Sequence, residues 1–247
     1  MTRIQLAVFD LSGTTIADDN AVARCLHEAA QDRGLDAPLA VFEQTIGTNK
    51  IHLYEFLLAR AAGEDVRIET FEQHRFPQYH ERAMALFAHY STLMIAHYER
   101  HTAPMPGAEE AFAWCRAHGI RVATDTGFHR DVHDAIQRAV RWVERGLVDL
   151  ALDVEHTAGI GRPAPYMIFH AMRTLGVQDV HAVAKIGDTP ADLWSGYHAG
   201  CGLNVGVLSG ANAREVLQKQ PHTHLLPSVA NLPALLESVG TSGQEVH

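Results

Sequence analysis

Apolar runs of strand length recur along this chain near residues 4–10, 120–126, 150–154, 181–187 and 202–207. Most of them are separated by stretches whose apolar residues return with helical spacing, at 107–118, 131–145, 164–175 and 190–199. Strands that alternate with helices specify a parallel sheet covered on both faces. The expected fold class is α/β, with a Rossmann-like, doubly wound parallel sheet at its core. One interval departs from the alternation. From residue 17 to 101 there is no strand pattern, only amphipathic stretches such as 21–33, 50–62 and 72–98. A span of that size is too long for a loop. It predicts a small helical bundle, inserted after the first strand and packed over the carboxyl ends of the strands. Pro104 and Pro106 mark the return to the sheet. The expected division is a core of residues 1–16 and 102–247 and a helical domain of residues 17–101. The tail from Ser238 to His247 is polar and is expected to fray.

Composition narrows the class of function. A formal charge of −9 argues against a nucleic-acid partner, because phosphate contacts need clustered Lys and Arg. Seventeen histidines exceed that charge in number, so full protonation would reverse its sign near pH 6. They are scattered; His97 and His101, like His129 and His133, are four apart, but no Cys or carboxylate set completes a zinc site. Cys25, Cys115 and Cys201 are odd in number and far apart, which makes a disulfide framework unexpected. No apolar stretch approaches 18 residues and no basic-then-apolar leader opens the chain, so the expected location is cytoplasmic, with no membrane partner.

The first strand ends on chemistry. Its run stops at Asp10 in Asp10-Leu11-Ser12-Gly13-Thr14-Thr15, and ligands of open α/β sheets bind outside the carboxyl ends of the strands. Asp10 is thus a candidate nucleophile or metal ligand, although an Asp that merely opens a turn is common. Ile120-Arg121-Val122-Ala123-Thr124-Asp125-Thr126-Gly127 is a second strand, ending in hydroxyls and glycine. Gly161-Arg162-Pro163-Ala164-Pro165 is a rigid turn carrying one cation. The run from Val183 to Ile186 leads into Gly187-Asp188-Thr189-Pro190-Ala191-Asp192, with two carboxylates four residues apart.

In this order the four segments resemble the four motifs of the haloacid dehalogenase-type phosphohydrolase superfamily, over nearly the whole chain. The resemblance implies that Asp10 attacks phosphorus to give an aspartyl phosphate that water then cleaves. It implies a Mg2+ site at Asp10, Ser12 and Asp188, oriented by Asp192, since magnesium takes few carboxylates and keeps several waters. Thr126 and the amides around Gly127 would bind phosphoryl oxygens, with Thr124 as the rival because the register at this strand end is open by two residues. Arg162 supplies a planar fork suited to a phosphoryl group. The helical insertion matches the cap domain of one branch of the superfamily, which can exclude water when closed.

Two departures refine the resemblance. Most superfamily phosphatases carry an Asp general acid two residues after the nucleophile; here that place is Ser12, a poor acid at neutral pH. Most also have Lys where this chain has Arg162. Both departures resemble phosphonatase, the phosphonoacetaldehyde hydrolase branch, as does Thr126-Gly127-Phe128. That branch carries a Schiff-base lysine in a Gly-x-x-Lys setting of its cap, and this chain has Gly47-Thr48-Asn49-Lys50. An iminium on Lys50 would accept the electrons of a breaking carbon–phosphorus bond as an enamine, so no acid is needed at position 12. Lys50 must be unprotonated for this. The branch's His three residues after the lysine is replaced by Leu53, with His52 next to it. The implied partner is a small phosphorylated or phosphonate substrate; a homodimer is compatible with the sequence. The rivals are a phosphomonoesterase or phosphomutase lacking the usual acid, a dehalogenase proper, and an inert binding protein. The intact Gly-Asp-Thr-x-x-Asp segment argues against the second, and the retained charged residues against the third.

Overall fold

The computed structural model describes residues 3–241. In chain order the elements are β1 (Leu6–Asp10), α1 (Ala21–Asp32), α2 (Leu39–Gln44), α3 (Lys50–Ala61), α4 (His80–His101), α5 (Ala108–Ala117), β2 (Arg121–Asp125) and α6 (Arg130–Val140). They continue with β3 (Leu150–Leu152), α7 (Tyr166–Leu175), β4 (Val183–Gly187), α8 (Pro190–Ala199), β5 (Leu203–Val207), α9 (Arg214–Leu217), β6 (His224–Leu226) and α10 (Leu232–Thr241). The chain falls into two compact units, one formed by residues up to Asp19 and from Thr102 onward, the other by Asn20–His101. Among the described residues no helix is long and apolar enough to cross a membrane.

The first unit holds a six-stranded sheet in the order β3-β2-β1-β4-β5-β6, parallel at every pairing. The α/β, doubly wound expectation is met. Side chains alternate across each strand, and the two faces are buried against different helices. Leu6 and Val8 join Ala123, Val183 and the α7 residues Met167, Ile168 and Ala171 in one apolar cluster. Phe9 points the other way and meets Phe112 of α5 edge-on at 4.9 Å between ring centroids; Phe112 in turn meets Trp142 at 5.0 Å. Connections run away from β1 on one side to β2 and β3, and on the other side to β4, β5 and β6. The order therefore reverses between β1 and β4, which opens a crevice at their carboxyl ends.

The second unit is helical throughout its described regular elements. α1 packs against α2 and α4, and α3 against α4. Asn49 caps α3, its side-chain oxygen accepting from the His52 amide at 3.0 Å. The expected helix over 72–98 is corrected: short 3-10 turns occupy Phe71–Gln73 and Pro77–Tyr79, and α4 begins at His80. Pro77 has no amide hydrogen to donate, so a helix can start there but not run through it.

Three further details depart from the pattern reading. α6 ends at Val140 instead of continuing to 145, because Arg141 takes a left-handed conformation at φ 53°. β6 and α10 were not anticipated. The tail expected to fray from Ser238 is helical as far as Thr241; residues 242–247 lie outside the described residues.

Candidate active site

Strand alternation aims the reactive groups. Asp10 shares a face with Leu6 and Val8, Asp125 with Ala123, and Lys185 with Val183; Asp10 stands in register with Asp125, and Val8 with Lys185. All of these side chains project to the side of the sheet that α7 covers. The turn after β1 is drawn tight by the amides of Thr14, Thr15 and Ile16, which all donate to the Leu11 carbonyl. The Thr15 hydroxyl ties it down by donating to the Asp10 carbonyl at 2.7 Å. Gly13 has φ +84°, and a Cβ there would stand 2.5 Å from an Asp188 oxygen. Both the conformation and the space demand glycine.

Three carboxylates and two cations meet in this crevice. Arg162 Nη1 donates to Asp10 Oδ1 at 2.5 Å and also to Asp192 Oδ1, and lies 3.7 Å from Asp125 Oδ1. Lys185 Nζ donates to Asp125 Oδ1 at 2.5 Å and lies 2.9 Å from Asp192 Oδ1. The second oxygen of Asp192 accepts from the Thr189 hydroxyl at 2.6 Å and from the Thr189 amide at 3.2 Å. Burial works against ionisation of Asp192, but Arg162 and Lys185 outweigh it and hold the carboxyl down at about 2. Burial likewise disfavours the charged Arg162, and Asp10, Asp192 and Asp125 reverse that, holding it firmly protonated.

Asp188 stands apart from these cations. Its oxygens accept from the Thr14 hydroxyl at 2.9 Å and the Ala211 amide at 2.8 Å, and Gly210 passes so close that a Cβ would collide with its carboxylate. Burial, and then the charge of Asp192, push Asp188 up to about 6. Asp10 is also raised well above the usual carboxylate range, by burial first; Arg162 opposes this while Asp192 and Asp188 add to it. Ionising Asp10 and Asp188 together would place two negative charges in a buried space that Arg162 and Lys185 only partly offset. Hard oxygen donors with surplus charge suit a small divalent cation. Asp10, Asp125 and Asp192 are also close enough together to hold an ion. Their facing oxygens, however, are already occupied by the Arg162 and Lys185 cations.

The other residues singled out in the sequence are placed as follows. Thr124 lies inside β2, in register with Phe9 and Ala151. Thr126 follows the strand end, its hydroxyl accepting from the Phe128 amide at 3.2 Å. Gly127 is beside the cation: a Cβ there would be 3.5 Å from Arg162 Nη2. Ser12 is half-buried in the turn after Asp10. Lys50 belongs to the helical unit, where it is the first residue of α3 and half-buried. Leu53 is fully buried. His52 is stacked against Phe71 and Phe76; its Nε2 donates to the Phe71 carbonyl at 2.9 Å and its Nδ1 faces Glu55 at 3.1 Å.

Sequence reasoning gave no role to Asp125, Lys185, Thr14, Thr189 or the Gly210-Ala211 turn. A signal existed for Lys185, a single charge in an otherwise apolar strand, and for Asp125, a second carboxylate at a strand end. Nothing local marks Thr14 or Ala211, whose partner Asp188 is remote in sequence.

A family model described as haloacid dehalogenase-like hydrolase matches residues 4–200. A phosphonoacetaldehyde hydrolase of Bacteroides fragilis is 29% identical over 231 residues, covering 92% of this chain and 84% of that protein. Another, from Vibrio cholerae, is 28% identical, covering 96% of this chain and 94% of its own length. In fold the chain is similar to a phosphonoacetaldehyde hydrolase-like protein of Oleispira antarctica, with TM-score 0.76, 20% identity, and 99% and 96% of the two chains covered. It is equally similar to a hydrolase of Pseudomonas syringae, with TM-score 0.76, 16% identity, and 95% and 99% covered.

Proposed function

The chain belongs to the haloacid dehalogenase-like hydrolase family, and within it we propose a magnesium-dependent phosphonatase that cleaves the carbon–phosphorus bond of phosphonoacetaldehyde or a related phosphonate. The observation that carries this reading is the site itself: a buried Asp10 held by Arg162 at 2.5 Å, with a hydroxyl rather than a carboxylic acid at position 12. Such a site can take a phosphoryl group but has nothing at residue 12 to protonate a leaving alkoxide. The relatives named phosphonoacetaldehyde hydrolase, alike over nine-tenths of this chain, support the same choice of leaving group.

Asp10 attacks phosphorus, and the phosphoryl group passes to its carboxylate while the carbon–phosphorus bond breaks. Thr126, the amides around Gly127 and Arg162 hold the phosphoryl oxygens; Gly127 lies against Arg162, whereas Thr124 is inside the strand. The electron pair of the broken bond moves into an iminium formed on Lys50, giving an enamine that is then protonated and hydrolysed. Water cleaves the aspartyl phosphate and restores Asp10. Asp10, Asp188 and the Ser12 segment would hold Mg2+, with Asp192 orienting the neighbouring groups; the ion supplies charge neutralisation for the anionic phosphoryl group. In this reading the helical unit, Asn20–His101, supplies Lys50.

A second reading, phosphomonoester hydrolysis, has one observation in its favour. With Leu53 buried and both ring nitrogens of His52 engaged, the first turns of α3 offer no histidine to assist imine chemistry. Borohydride reduction in the presence of phosphonoacetaldehyde separates the two. The phosphonatase reading requires a reduced adduct on Lys50, found by peptide mass mapping; turnover of that aldehyde with no adduct on Lys50 would contradict it.

A further inference from the structure

Lys185 and Asp125 have no part in the reaction above, yet both are fully buried beside groups that do, Lys185 at 2.9 Å from Asp192 and Asp125 at 3.7 Å from Arg162. Burying an ion pair is a weak route to stability, since desolvation of the two charges offsets most of their attraction, and an apolar pair is often at least as stable. An aliphatic residue at 185 would match its strand neighbours Val183, Ala184 and Ile186. A charged pair in such a place calls for a reason other than stability.

We propose that Lys185 is a positioning residue for Arg162, acting through Asp192, and that Asp125 sets how far Lys185 reaches. The inference rests on the assignment of Arg162 as the phosphoryl-binding cation. Its geometry is a shared acceptor. Asp192 Oδ1 receives both Lys185 Nζ and Arg162 Nη1, and the same Nη1 also donates to Asp10. Because Thr189 holds the other oxygen of Asp192 through two hydrogen bonds, that carboxylate cannot turn to suit a new partner. The Lys185 stem is confined as well: α8 crosses it so closely that a Cβ on Gly196 would stand 3.0 Å from the Lys185 Cβ. Lys185 therefore draws off part of the charge of Asp192 Oδ1. Without it, Asp192 attracts the guanidinium alone, pulling it away from Asp10 and from the phosphoryl group. Asp125 competes with Asp192 for Lys185, holding the ammonium at 2.5 Å and limiting its claim on Asp192, and itself lies 3.7 Å from Arg162 Nη1, a charge that both variants below remove alike.

The pair carries no net charge, which permits a clean test by inorganic phosphate binding, measured calorimetrically with magnesium in excess. Asp125→Asn/Lys185→Met removes both charges together; we expect a melting temperature within a few degrees of wild type and phosphate affinity about tenfold weaker. A double variant that folds and binds phosphate like wild type overturns the proposal. Asp125→Asn, nearly isosteric, is the second variant and remains informative if the double variant does not fold. It releases Lys185 to Asp192, frees Arg162, and should tighten phosphate binding several-fold; equal or weaker binding overturns the proposal. The opposite signs are what a merely structural pair would not give. Arg162→Met separates the two levels of argument. If it leaves phosphate binding intact, the assignment of Arg162 fails and this inference with it. If it abolishes binding while the pair variants do nothing, only the inference fails.

Discussion

Asp188 and Asp192 occupy the same short segment, yet their surroundings push them in opposite directions. Asp192 has two cations beside it and ionises easily, whereas Asp188 has only neutral donors and is driven up to about 6 by burial first and by Asp192 second. The folded, metal-free chain therefore keeps the Asp188 proton to higher pH than the unfolded chain does. Between about pH 4 and 6 the folded state binds more protons from this group, so its contribution to stability falls as pH rises. Asp192 has the reverse sign, with its contribution complete above about pH 4 and lost as pH falls toward 2. Asp188→Asn, which mimics the neutral acid, should match wild type near pH 4 in chelator. By pH 7 it should be more stable, by as much as about 2–3 kcal/mol. Urea denaturation at the two pH values measures this; a difference that does not change with pH would contradict it. These environments were not legible in the sequence. The spacing of Asp188 and Asp192 was plain, but which of them meets Arg162 and Lys185 depends on strands and turns far apart in the chain.

The long apolar strands were legible because burial on both faces leaves a run that no loop would carry. Elements defined by few residues were not. β6 is three half-buried residues at the sheet edge, too short to show alternation. The end of α6 carries no glycine, because Arg141 itself takes the left-handed turn. Packing at this scale hinges on Phe112, which touches Phe9 of β1 and Trp142 beyond α6 with edge-on geometry. Phe112→Ala would leave a cavity between α5 and the sheet and should destabilise the chain by about 3–5 kcal/mol. Chemical denaturation reads this directly; a loss below about 1 kcal/mol would mean that α5 collapses onto β1 without penalty.

At the scale of the whole molecule, the family was legible because four segments far apart in sequence converge on one crevice, each ending a strand or opening a helix there. The site's supporting charges, Asp125 and Lys185, became visible only when β1, β2 and β4 were laid side by side. Asp10 belongs to the α/β unit and Lys50 to the helical unit. If Asp10 and Asp188 hold magnesium, a chelator should eliminate turnover and added magnesium should restore it, because two buried carboxylates repel an anionic substrate. Full turnover in excess chelator would point instead to metal-independent, dehalogenase-type chemistry.

The most direct test of carbon–phosphorus cleavage through Lys50 compares Lys50→Arg with wild type on two substrates, phosphonoacetaldehyde and an aryl phosphate. A guanidinium keeps its charge but cannot form the imine, and Asp10, Asp188 and Arg162 are untouched. The account predicts loss of phosphonoacetaldehyde turnover to below about 1% of wild type, as expected when an essential covalent group is removed, with hydrolysis of the aryl phosphate retained. Unchanged turnover of phosphonoacetaldehyde, or equal losses on both substrates, would contradict it.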